Sequence, residues 1–131
     1  MTDRASHCVT TSVVRRNVDT SGLCTIARHI LGETYTLSIV IVGDTRARTL
    51  NRTYRNKDYA PNVLSFPLDE LSGEIYLNIA RITRECRSFE LSPNGHLRYL
   101  LIHGCLHLKG HHHGSTMERT ERELVEQFSI R

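Results

Sequence analysis

Three features of this 131-residue chain predict a fold that mixes helices with a β-sheet. The run at 35–42, YTLSIVIV, is β-branched and almost continuously apolar, as in a strand covered on both faces. Apolar residues recur at helical spacing in five other segments. One of these, His96 to Leu108, is apolar nearly all round, as in a helix buried in the core. The length suits a single domain, 1–131, with a core that needs no covalent staples.

Residues 8–16 (CVTTSVVRR) are rich in valine and threonine and predict a first strand. Asp19, Thr20 or Ser21 is positioned to cap a helix over Leu23, Ile26, Ala27, Ile30 and Leu31, with Gly32 as its stop. After the strand at 35–42, Gly43-Asp44-Thr45 offers a turn and an N-cap. The helix that follows runs to about Tyr54, with Ala47, Leu50 and Tyr54 toward the core. A polar loop, 56–61, leads to a short strand, Asn62 to Phe66, that Pro67 should end. Gly73 to Asn78 predicts a fourth strand, and Ile79 to Phe89 a helix with Ile79, Ile82, Cys86 and Phe89 inward. Ser92-Pro93 is a helix start, serine as cap and proline in the first turn. Met117, Leu124, Val125 and Phe128 mark the apolar stripe of a charged last helix.

Five of the eight histidines lie in the eleven residues His103 to His113, which read HGCLHLKGHHH. On a helix, His103 and His107 are one turn apart on one face and can share a tetrahedral ion. Gly110 is suited to stop that helix in a left-handed turn. A third histidine can then fold back, and three protein ligands with one open position is how catalytic zinc is held. The spacing H-x3-H-x2-G-x2-H selects His113, with His111 and His112 as spares. That spacing also occurs in the long zinc-protease motif, but the protease's glutamate base is replaced here by Gly104.

Net charge is only +3, yet Arg46, Arg48, Arg52, Arg55 and Lys57 fall within twelve residues that contain no acid. Such a cluster suits a phosphate-bearing partner or a solvated helix face. The start, MTDRASHC, leads into no apolar run, so no signal peptide is expected, and no stretch is long enough to span a bilayer. Cys8, Cys24, Cys86 and Cys105 are scattered without a C-x-x-C pair, which favours reduced thiols in a cytoplasmic protein. Cys105 is expected to pack rather than ligate.

Several segments together resemble the bacterial YbeY family of metal-dependent endoribonucleases that mature ribosomal RNA. The family pattern H-G-x-L-H-L-x-G-Y-D-H is matched from His103. The run L-N-x-x-Y-R-x-K-D-x-P-T-D-V-L-S-F-P is matched by LNRTYRNKDYAPNVLSFP, Leu50 to Pro67. Leu37–Val42 and Gly73-Glu74-Ile75 match further family segments. The resemblance covers roughly residues 35 to 128. It implies an α+β fold, a small mixed sheet of about four strands covered by about five helices, with the metal on a buried helix and the turn after it. It further implies His103, His107 and His113 as ligands of one Zn2+, Arg55 as a catalytic arginine, and Arg46, Arg48, Arg52 and Lys57 as weaker RNA contacts. The implied partners are single-stranded RNA and the small ribosomal subunit, with action at the 3′ end of 16S ribosomal RNA and in ribosome quality control, away from membranes.

The chain departs from the family in three places. Tyr-Asp before the last ligand is His111-His112, which removes a neighbouring carboxylate. P-T-D is Ala60-Pro61-Asn62, and the connection from His113 to Met117 is short. Two rival readings remain at this level: a metallopeptidase-like hydrolase, and a non-catalytic RNA- or ribosome-binding factor whose zinc takes a fourth ligand from His111 or His112.

Overall fold

A computed structural model describes residues 7–131. The first six residues, on which the expectation of no signal peptide partly rests, lie outside the described residues. Four strands form one mixed sheet in the order β1-β2-β4-β3: β1 Cys8–Ser12, β2 Thr36–Val42, β3 Val63–Asp69 and β4 Ser72–Asn78. β1 and β4 both run parallel to β2, while β3 and β4 form an antiparallel hairpin. Parallel neighbours need a crossover, and α1, Leu23–Leu31, supplies the one between β1 and β2. The remaining helices are α2 (Asp44–Arg55), α3 (Ile79–Glu85, extended by a 3-10 turn Cys86–Phe89), α4 (Pro93–Leu108) and α5 (Ser115–Gln127). The fold is therefore α+β, as the resemblance implied.

Register explains the core. Ile39 pairs with Ile75 and Ile41 with Leu77, so these four side chains share one face and are fully buried. α4 and α1 pack on that face, where Leu97, Leu101, Ile102 and Leu106 join the same cluster. The opposite face, with Ser38, Val40 and Tyr76, is only half-buried beneath α2. β2 is thus less evenly covered than its apolar run suggested.

β1 stops at Ser12 instead of running to residue 16, and the other element boundaries agree with expectation except where long-range contacts decide. β3 continues through Pro67 to Asp69, because it is an edge strand and a missing N–H costs little on the unpaired side. No side chain caps α1; Gly22, at φ 77°, occupies the cap, and Asp19 instead accepts hydrogen bonds from the Ser21 backbone N–H and hydroxyl. The inward face of α2 is Ala47 and Asn51 rather than Leu50 and Tyr54, and Tyr54 is 67 % exposed. Asn51 is buried because its amide donates to the Tyr59 carbonyl and so anchors the following loop. Phe89 is likewise exposed at the end of the 3-10 turn, where it stacks on His96. Ser92 does cap α4, accepting from the Gly95 N–H at 3.0 Å.

One expectation about the cysteines is overturned. Cys8 and Cys24 form a disulfide that ties β1 to α1, with their Cα atoms 5.7 Å apart. The crossover of the parallel pair brings the two residues together, and sixteen positions of separation do not reveal this. Cys86 and Cys105 are free and buried, and burial pushes the Cys105 thiol far up, as packing residues require.

Candidate metal centre

The last two turns of α4 carry His103 and His107 toward the β3 edge of the sheet. The helix ends in a tight turn: the Gly110 N–H donates to the His107 carbonyl and the His111 N–H to the Leu106 carbonyl. Gly110 sits at φ 102°, a conformation that side-chain-bearing residues rarely adopt. The turn reverses the chain and returns His113 to the other two. Ring centroids of the three histidines are 4.7 to 5.2 Å apart, and the Nε2 atoms of His103 and His107 are 3.1 Å apart. One potential ligand atom from each lies within 4.8 Å of the others. Tetrahedral nitrogens about 2.0–2.1 Å from a zinc ion are separated by roughly 3.3 Å, so this donor set fits such an ion. His111 and His112 do not join this cluster, which leaves the four-ligand reading without its fourth histidine.

α5 adds a group that the sequence reading did not find. The Glu121 carboxylate, on a residue only 7 % exposed, is hydrogen-bonded to Nδ1 of His103. That bond turns the Nε2 of His103 toward the other two histidines. Carboxylates in this position fix the tautomer and orientation of ligating histidines. The family's aspartate beside the last ligand is absent here, but a carboxylate reaches the first ligand from a different helix. A signal was present: Glu121 stands four residues after Met117 and three before Leu124, an acid on an otherwise apolar stripe. Burial, and then the charges of His103 and His113, hold His107 below the ordinary imidazole pKa. This favours the neutral form that binds metals.

The three histidines open onto a cavity of about 460 Å3, walled on the other side by Arg55, Tyr59, Asn62, Ser65 and Arg81. Arg55, the last residue of α2, donates from Nη2 to the Ser65 carbonyl at 2.5 Å, and its guanidinium lies 5.1 Å from the Phe66 ring centre. Asp58, one of the acids that could have captured it, is hydrogen-bonded to Arg48 and Arg52 instead. The structure thus brings Arg55 to the histidines but leaves Arg46, Arg48, Arg52 and Lys57 outside the cavity lining. Gly104 faces the sheet rather than the cavity. A Cβ there would lie 2.9 Å from the Ser65 hydroxyl and 3.2 Å from Ile75, so a glutamate has no room in this packing.

At the base of the cavity runs a half-buried polar network that periodicity could not reveal. Glu85 accepts from Arg81 and from Asn62, and is hydrogen-bonded to fully buried His96 at 2.6 Å. Arg81 also donates to the Ala60 carbonyl, so the loop after α2 is fastened to α3 and α4. Burial raises the Glu85 pKa, but the hydrogen bonds from His96, Asn62 and Arg81 together outweigh it and hold the carboxyl below its ordinary value.

Comparison with known proteins agrees with this arrangement. A family model described as Endoribonuclease YbeY matches residues 7–129. An Endoribonuclease YbeY of Pseudomonas putida is 40% identical over 105 residues, covering 70% of this chain and 67% of that protein. Another, from Stutzerimonas stutzeri, is 34% identical over 129 residues, covering 92% of this chain and 81% of its own length. The solution structure of TM1509 from Thermotoga maritima shares the fold, with a TM-score of 0.66 at 24% identity over 91% of this chain and 87% of that one. With matches that span both the α2–β3 segment and the histidine turn, this chain belongs to the endoribonuclease YbeY family.

Proposed function

We propose that this chain is a zinc-dependent, single-strand-specific endoribonuclease, acting in the cytoplasm on the 3′ end of 16S ribosomal RNA and in ribosome quality control. The observation that carries this reading is the meeting of His103, His107, His113 and Arg55 around one cavity in a member of this family. The three imidazoles would hold the ion, leaving a coordination position open toward the cavity. A divalent ion so held supplies positive charge that polarises a phosphoryl oxygen and activates water.

The remaining work falls to the protein's own groups. Glu121 keeps His103 in the ligating tautomer. Arg55 is fastened to the β3 backbone through one nitrogen, which leaves the rest of its fork to meet the scissile phosphate and balance charge in the transition state. Tyr59 and Asn62 border the space in which the nucleotide rests. Among the described residues no carboxylate lines the cavity. The same lack, with the closed packing around Gly104, disfavours peptide hydrolysis.

The direct test is metal analysis of the purified protein together with cleavage of single-stranded RNA, with and without chelator. Stoichiometric zinc and chelator-sensitive cleavage are expected. A protein that is fully loaded with zinc yet leaves RNA intact would refute the enzymatic reading. The ribosomal assignment is checked in depleted cells, where 16S RNA with an unprocessed 3′ end should accumulate and the wild-type chain, but not Arg55→Ala, should correct it.

A further inference from the structure

On the far face of β3 from the histidines lies a second cavity, of about 320 Å3, that the proposed chemistry does not use. Its walls are aromatic: Phe66 stands edge-on to Tyr54 (5.6 Å between ring centres) and to Tyr76 (5.8 Å). Tyr54 turns two-thirds of its surface to solvent, on a helix that buries only Ala47 and Asn51. Phe66 and Tyr76 are half-buried under α2 and Tyr54 is exposed at their edge, so the cluster offers an aromatic surface to solvent that a ligand can cover.

Position and charge decide what it binds. Pro67 lines both cavities, and Arg55 lines the histidine cavity while lying on the Phe66 ring. A chain with one phosphate against Arg55 therefore passes over the β3 edge and sets its adjoining residue above the aromatic pocket. Inside, the Glu74 carboxylate accepts a hydrogen bond from the Tyr76 hydroxyl and keeps acceptor oxygens in the wall. An anionic group is repelled there. A neutral, flat ring with amino groups at its edge is not.

We infer that this pocket is a nucleobase subsite, taking one unpaired base next to the phosphate held at Arg55, with Tyr54 as its principal stacking surface. The inference rests on the RNA-cleaving reading above and adds a reason for single-strand preference. A base inside a duplex has both faces covered and cannot enter, whereas an unstacked base meets a ready aromatic wall.

The test uses the full, metal-loaded chain, short single-stranded RNAs of mapped cleavage site, and the variants Tyr54→Ala and Tyr54→Phe. Tyr54 is exposed enough that truncation leaves the fold intact, which thermal unfolding verifies. Tyr54→Ala should raise KM about tenfold with kcat little changed, as stacking losses of this kind do, and Tyr54→Phe should cleave like the wild type. An abasic residue placed at either side of the cleaved bond should, at one of those positions, produce the same loss and make Tyr54→Ala of no further consequence. RNA carrying 2-aminopurine at that position should lose fluorescence on binding the wild type and keep it with Tyr54→Ala, a readout that needs no cleavage. Additive losses at both abasic positions, or unchanged quenching in Tyr54→Ala, would overturn the subsite while leaving the enzyme standing. Failure of the wild type to bind the RNA at all would remove both readings.

Discussion

Replacing Glu121 by glutamine is the most incisive perturbation of the candidate metal centre. The substitution keeps the size and shape of a side chain that is 7 % exposed, and removes only its charge and one acceptor oxygen. The carboxylate is bonded to His103 Nδ1, and at this depth water cannot replace it. Loss of such a partner to a ligating histidine typically lowers metal affinity ten- to hundredfold, which corresponds to about 1.4–2.7 kcal/mol. Neither His107 nor His113 has a carboxylate partner among the hydrogen bonds of the site, so no other acid takes over. Glu121→Gln should therefore bind zinc ten- to hundredfold more weakly in competition with a chromogenic chelator. Urea unfolding of the metal-free protein should change far less, because packing is kept. If zinc affinity stays within twofold of the wild type while the metal-free protein loses stability, Glu121 is a core residue that happens to touch a histidine, and the orienting argument fails.

Three further outcomes follow from the geometry. His113→Ala should abolish stoichiometric zinc binding while His111→Ala does not; equal loss in both, measured by metal analysis, would show that the turn after Gly110 presents the wrong histidine. Arg55→Ala and Arg55→Lys should each slow RNA cleavage about a hundredfold with zinc content unchanged, because lysine restores the charge but not the fork; near-wild-type rates in both would make Arg55 a scaffold residue. Glu85, whose folded pKa lies below its unfolded one, contributes stability that is complete above the ordinary carboxylate range and is lost as pH falls through the folded value. Acid unfolding of Glu85→Gln should accordingly show a shallower dependence on pH below that range, and an unchanged slope would remove Glu85 from the list of stabilising acids.

What could be read in advance was whatever depends on near neighbours in the chain. The i, i+4 spacing of His103 and His107, the stop at Gly110 and the Ser92 cap all depend on positions within a few residues, so their geometry follows from helix periodicity and turn chemistry. The same holds for the strand at 36–42 and for the all-round apolar α4, because one hydrophobic pattern marks each. The motif around Leu50 to Pro67 identified the family before any contact was known.

Tertiary structure decided what depends on residues far apart. Tyr54 and Asn51 are both compatible with an inward position on α2, and only the loop carbonyl of Tyr59 selects Asn51 and frees Tyr54 for the surface. Pro67 reads as a strand terminator until β3 is known to be an edge. Cys8 and Cys24 meet only through the β1–α1–β2 crossover. Glu121 was visible as an acid on an apolar stripe, but its purpose required α5 to pack against α4 beside His103. Charge and helical spacing do not separate Arg48 and Arg52 from Arg55, which only the family motif singled out; Asp58 takes the first two, and the β3 backbone holds the third. Local spacing determines which groups can share one ion, whereas the charges and carbonyls that orient those groups arrive from other elements, and only packing brings them within hydrogen-bond range.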